Sequence, residues 1–120
     1  MDAAELELNK EATLAFILAD PEDITLLRPH KVSDGAGGFK LGSPTPLITQ
    51  TGRLIPQSDR VLEVRNSNGR MAMPEFVLLL PAEADLLRYD TFVWRGATWE
   101  IAQVHTKPDY ELKGDVIRLA

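Results

Sequence analysis

The chain has 120 residues, 44% of them hydrophobic and 26% charged, and it contains no cysteine. That length suits one domain with a real core, and the missing thiols exclude disulfides and thiolate metal sites. A formal net charge of −5 argues against a domain that grips DNA by its phosphates.

The charge is uneven. Residues 1–23 hold seven acidic side chains against Lys10 alone, a balance of −6, while the remainder holds twelve basic and eleven acidic ones, a balance of +1. An acidic N-terminal helix reads either as a solvated face or as a docking segment for a basic surface. The opening MDAAELEL is acidic where a signal peptide would be basic. The apolar runs TLAFILA and FVLLLPA fall far short of the roughly 20 residues that cross a membrane. The expectation is a soluble, unexported protein with no membrane partner.

Residues 3–19, rich in Ala, Leu and Glu, predict a helix that stops at Asp20-Pro21, because proline pushes its predecessor out of the helical region. Leu14, Ile17 and Leu18 share a face of that helix, and Phe16 lies well away from it. Apolar residues that nearly encircle a helix imply burial on more than one side. Leu14, Phe16, Ile17 and Leu18 are therefore the candidate contacts with a second subunit or another partner.

After Pro21 short apolar runs alternate with turn residues, the pattern of an all-β domain. ITLLRPHKV (24–32) predicts a first strand, with Pro29 forcing an edge position or a break. SDGAGG (33–38) predicts a turn and FKLG a short second arm. LITQTGRLIP (47–56) predicts a strand with a bend or bulge at Gly52. VLEVR (61–65) and RMAMPEFVLLL (70–80) flank an Asn-Gly hairpin signal at Asn68-Gly69. DTFVWRGATWEIAQV (90–104) predicts a hairpin that holds both tryptophans, and DVIRLA (115–120) a closing strand. The expected fold is mainly β: a small barrel of about six strands (21–120), an N-terminal helical segment (1–20) and a long projecting hairpin (57–73). Its core should include Ile24, Leu26, Leu54, Val77, Leu79, Phe92, Trp94, Trp99, Ile101, Val104, Ile117 and Leu119.

Catalytic patterns are weak. SDGAGGF lacks the Lys-Ser/Thr pair of a phosphate loop, and no predicted helix follows it. His30 and His105 have no metal-ligand spacing. Asp85 with Asp90, or Glu75 with Glu83, make an acid–base pair only on paper, since such a pair needs burial and mutual geometry. Ser33 and Ser58 sit in no nucleophile motif. Trp94 and Trp99 across a short turn could form a stacking platform for single-stranded nucleic acid, but their hairpin supplies only Arg95, so cross-strand packing is the better reading. The expectation is no enzyme, no metal and no cofactor.

The order of these signals resembles the head–tail joining proteins of tailed bacteriophages, in particular the head-closure or stopper protein of long-tailed phages. The residues that carry the resemblance are DGAGGF, then TGRLIP, then a variable polar hairpin, then FVLLLPAEADLLRYDTFVWRGATWEIAQV, and a final IRLA. Together they span most of residues 24–120. The resemblance implies a structural virion protein of the phage neck, made in the host cytoplasm. It would form a homo-oligomeric ring, six- or twelve-fold, below the portal and adaptor proteins. Such a ring closes the DNA channel after packaging and offers a docking surface to tail proteins. A tail-completion protein is the neighbouring alternative, and a small nucleic-acid-binding barrel is the alternative of another class.

The segment QSDRVLEVRNSNGRMAM (57–73) is the candidate channel gate. Arg60, Arg65 and Arg70 outnumber Asp59 and Glu63 there, and Asn66, Asn68 and Gly69 form its turn. At about 3.3 Å per residue, arms of roughly eight residues reach on the order of 25 Å. A pore that admits duplex DNA has a radius on the order of 10 Å. A ring of such hairpins is long enough to meet genomic DNA on the axis.

Overall fold

A computed structural model describes residues 1–57 and 63–119, and for Lys31, Val32, Phe39 and Leu41 the backbone alone. Helix α1 (Ala3–Ala19) begins where Asp2 accepts a hydrogen bond from the Glu5 N–H at 2.8 Å, the N-cap that such a carboxylate supplies. It ends before Pro21, as its sequence requires.

Among the described residues twelve strands follow: β1 (Glu22–Ile24), β2 (Leu27–Arg28), β3 (Lys31–Ser33), β4 (Phe39–Leu41), β5 (Thr45–Pro46), β6 (Gln50–Pro56), β7 (Val64–Arg65), β8 (Met71–Ala72), β9 (Phe76–Pro81), β10 (Thr91–Trp94), β11 (Ala97–His105) and β12 (Glu111–Arg118). Eight of them form one antiparallel sheet in the order β1-β6-β9-β12-β11-β10-β2-β5, curled into a half-barrel. β3–β4 and β7–β8 are separate two-stranded hairpins.

The expected six strands become eight because the first apolar run does not stay in one place. β1 pairs with β6, whereas β2, only Thr25 and Leu26 later, pairs with β10 toward the other end of the sheet. A two-residue step spans those partners only because the sheet curls. Leu26, fully buried at that step, seals it. Past Arg28, Pro29 breaks the run before β3, as its missing N–H dictates.

The core cluster comprises Ile24, Leu26, Leu54, Leu78, Leu80, Leu86, Phe92, Ala97, Trp99, Ile101, Leu112 and Val116. Val77, Trp94 and Val104, expected inside, are half-buried, and Trp94 and Val104 pack on the cluster's margin. Leu119, also expected inside, is 38% exposed just past the end of β12. Strand β9 explains the unbroken FVLLL run: Leu78 and Leu80 face the barrel interior. Leu79, 3% exposed, points to the opposite face, where α1 lies. A strand covered on both faces has no polar side to alternate with.

Gly52 marks no bulge. A Cβ there would stand 2.7 Å from the Leu79 carbonyl oxygen, so the glycine permits two strands to approach. The register shift falls instead between Ile101 and Gln103.

Candidate functional site

Three places hold the side chains that sequence singles out: the outer side of α1, the β7–β8 hairpin, and the loop that leads from β9 to β10.

Ile17 leaves the docking set. It is fully buried on the face of α1 that packs against β6 and β9, so it serves the chain's own core. Leu14, Phe16 and Leu18 do stand outside, at 46%, 46% and 57% exposure. Phe16 is partly covered by the Arg53 guanidinium, 4.0 Å above its ring, and Arg53 also donates to the Phe16 carbonyl at 3.0 Å. Lys10 and Glu83, 2.9 Å apart, tie the helix to the turn after β9. The contact raises the Lys10 pKa and lowers that of Glu83, in both cases mainly through their hydrogen bond.

The β7–β8 hairpin does not stand off from the sheet. Its turn runs through Asn66–Gly69, with Gly69 at φ 78, the left-handed conformation that glycine accepts without strain. The Asn66 side chain accepts from the Asn68 and Arg70 N–H groups at 2.9 and 3.0 Å. The tip is then tied down. Glu100 of β11 accepts from the Ser67 N–H at 2.8 Å and the Ser67 hydroxyl at 2.6 Å, and Glu100 itself is 1% exposed. Arg65 and Arg70 remain exposed, and Arg65 donates to the Gly69 carbonyl at 3.0 Å. Arg60 lies outside the described residues.

Sequence parity gives no hint of this latch. Trp99 and Ile101 face the core, so Glu100 belongs to the outer face of β11, where a carboxylate is ordinary. Only the folding of a distant turn over that face buries it. A charged group so enclosed is tolerated because two short hydrogen bonds satisfy it.

Asp85 and Asp90 converge, although as ion-pair partners. The Arg28 guanidinium donates to Asp90 at 3.0 and 2.8 Å and to Asp85 at 3.1 and 2.9 Å. Asp90 is fully buried and also accepts from the Leu87 N–H at 2.9 Å. Its two acceptor oxygens hold the Arg28 pKa above its ordinary value, with Asp85 the second cause. Glu75 and Glu83 are exposed and are not brought together as an acid–base pair. His105 pairs with Asp115 at 2.9 Å, and His30 is exposed.

The tryptophans brace their hairpin. Phe76 meets Trp94 and Trp99 edge to face, at centroid distances of 5.0 and 5.4 Å. The Trp99 indole N–H donates to the Trp94 carbonyl at 2.9 Å. The turn between them is Arg95-Gly96, both at positive φ (50 and 72), the twist that a two-residue hairpin loop prefers. Trp99 is 5% exposed, which leaves no face for a base to stack on.

The glycine-rich turn is likewise self-satisfied. Asp34 Oδ1 accepts from the Ala36 and Gly38 N–H groups at 2.8 and 3.1 Å, occupying donors that a phosphate would need. Among the described residues, no three His, Asp or Glu side chains cluster as metal ligands. No helix among them is long and apolar enough to cross a membrane. No protein-family model matches this chain, and no curated protein is significantly similar to it.

Proposed function

We propose that this chain is a structural subunit of the neck of a tailed bacteriophage, a ring-forming head-closure protein rather than an enzyme. One observation carries the reading: the β7–β8 hairpin (64–72), which holds Arg65 and Arg70 and no acidic side chain, is held to the sheet through its tip. Neighbouring strands of the sheet do not need that arm, since β6 and β9 pair directly with each other. An insertion that the fold does not require is free to serve a partner.

In this reading the arm is the channel gate. Arg65 and Arg70 face the phosphates of the packaged genome. Release of Ser67 from Glu100 lets the arm extend toward the ring axis. The curled sheet supplies the rigid wall of the ring, and α1 meets the next subunit or the adaptor. Portal, adaptor and tail proteins are the partners, and no cofactor takes part.

The test uses DNA-filled, tailless heads of the phage that encodes the chain. Added protein should bind the heads, protect their DNA from nuclease and permit tail attachment. A variant with residues 66–70 shortened to two should bind the same heads and leave them leaking DNA. Binding to tail tubes alone would replace this reading with a tail-completion role. Salt-dependent binding to free oligonucleotides, with no affinity for heads, would replace it with a nucleic-acid-binding barrel. Protection by the shortened variant equal to that of the intact protein would overturn the gate.

A further inference from the structure

The outward side of α1 is a stripe: Glu7, Glu11, Leu14 and Leu18 recur at the spacing that stacks side chains on one helix face. Leu8 and Ala15 lie beside it, and all six residues are exposed. Leu8 is 66% exposed, Leu14 46% and Leu18 57%, so three leucines open to water share one side with two carboxylates. Ile17 and Thr13, on the adjoining face, are the buried ones.

A surface of matching character lies elsewhere on the same chain. Between the β7–β8 arm and β11 runs a groove of about 550 Å³, lined by Val64, Met71, Ala102 and Val104, with Arg65 and Arg88 beside them. Glu63 offsets one of these two charges, which leaves the groove net positive. Apolar floor meets leucine, and arginine meets glutamate. The stripe sits on the β6–β9 part of the sheet and the groove on β11, so one copy carries both halves of the contact in different places.

We infer that α1 of one copy docks through its Glu7–Leu18 stripe into the Arg65–Arg88 groove of a second copy. The contact is head-to-tail: every copy that docks still offers a free groove or a free helix, so copies continue into a closed ring or an open filament. It deepens the ring reading above and rests on that reading only for closure.

The cysteine-free chain suits a cross-linking test. Leu14→Cys and Gln103→Cys, both at exposed positions, are made in differently tagged chains, mixed, and treated with a short bis-maleimide. A cross-link in the mixture several times more abundant than in either variant alone is the expected result. A Leu14→Cys product that forms as readily by itself would mean helix-to-helix pairing and overturn the proposal. Absence of any cross-link at the highest concentration attainable would overturn it as well. Arg65→Glu with Arg88→Glu should weaken self-association at least about threefold. Adding Glu7→Lys with Glu11→Lys should restore it, a rescue that loss of folding does not produce; no rescue refutes the pairing. If cross-linking and rescue succeed while filled heads ignore the protein, the contact stands and the neck assignment falls. If heads bind but the charge swap fails, the assignment stands and the contact falls.

Discussion

Among the described residues two carboxylates are buried, Asp90 and Glu100, and each answers to a different partner. Glu100 holds the hairpin tip through Ser67 alone among the described residues. Ser67→Ala removes one of two charge-assisted bonds and should favour opening of the arm by about 1.5 kcal/mol, roughly tenfold in population. Trypsin cleavage after Arg65 or Arg70 should accelerate by that factor, and an unchanged rate would show that the tip is held otherwise. Asp90 is a matter of global stability. Asp90→Ala leaves the partly covered Arg28 without its inner partner and should cost about 3 kcal/mol, read from urea unfolding. Trp99→Ala, which empties a buried site against Phe76 and Trp94, should cost about 3–5 kcal/mol. A variant that melts with the parent would remove Trp99 from the core.

At the scale of elements, α1 is amphipathic in an unusual division: one side belongs to the barrel and the other is free. Ile17→Ala should cost about 3 kcal/mol by leaving a cavity over β6 and β9, whereas Leu18→Ala should stay within about 0.5 kcal/mol. Equal losses at the two positions would mean that the helix is covered on both sides within one chain. Deleting residues 1–20 is therefore a poor probe of docking, because it also strips the cover from Leu79. The Lys10–Glu83 tether has a pH window set by its two shifts. The lowered Glu83 pKa means its share of stability is present at neutral pH and lost as pH falls through the folded value, below the ordinary carboxylate range. The raised Lys10 pKa means its share is present at neutral pH and lost as pH rises through the folded value, above the ordinary ammonium range. Lys10→Ala should thus matter equally at pH 6 and pH 8 in hydrogen exchange of α1, and less at pH 3. A Lys10→Ala effect that grew on acidification would contradict the pairing.

At the scale of the molecule, the curl of the sheet decides what surfaces exist. β1 and β2 reach different ends of the sheet within two residues, so the sheet curls over and Leu26 is buried at the step. The β7–β8 arm is not needed for β6 and β9 to pair, since they pair directly with each other. Shortening it to a two-residue turn should leave the melting temperature within a few degrees and the far-ultraviolet spectrum unchanged. A variant that unfolds would make the arm part of the fold rather than an attachment to it.

The helix with its stop at Pro21, the β character of everything after it, and the tryptophan hairpin with its Arg95-Gly96 turn were all legible in the residues. They depend on capping, propensity and turn chemistry, which act over a few positions. Half of the core cluster was legible too, namely Ile24, Leu26, Leu54, Phe92, Trp99 and Ile101, because these residues lie in the apolar runs. Tertiary structure alone decided which face a helix of nearly encircling apolar residues buries, and so moved Ile17 inward while Leu14 and Leu18 stayed outside. It alone set Leu79 under α1, brought Asp85 and Asp90 onto one arginine, and laid Ser67 over Glu100. Each of these joins residues far apart in the chain, and the burial of a side chain depends on what else arrives at its face. That arrival is settled by the curl of the sheet, which no local pattern of residues encodes.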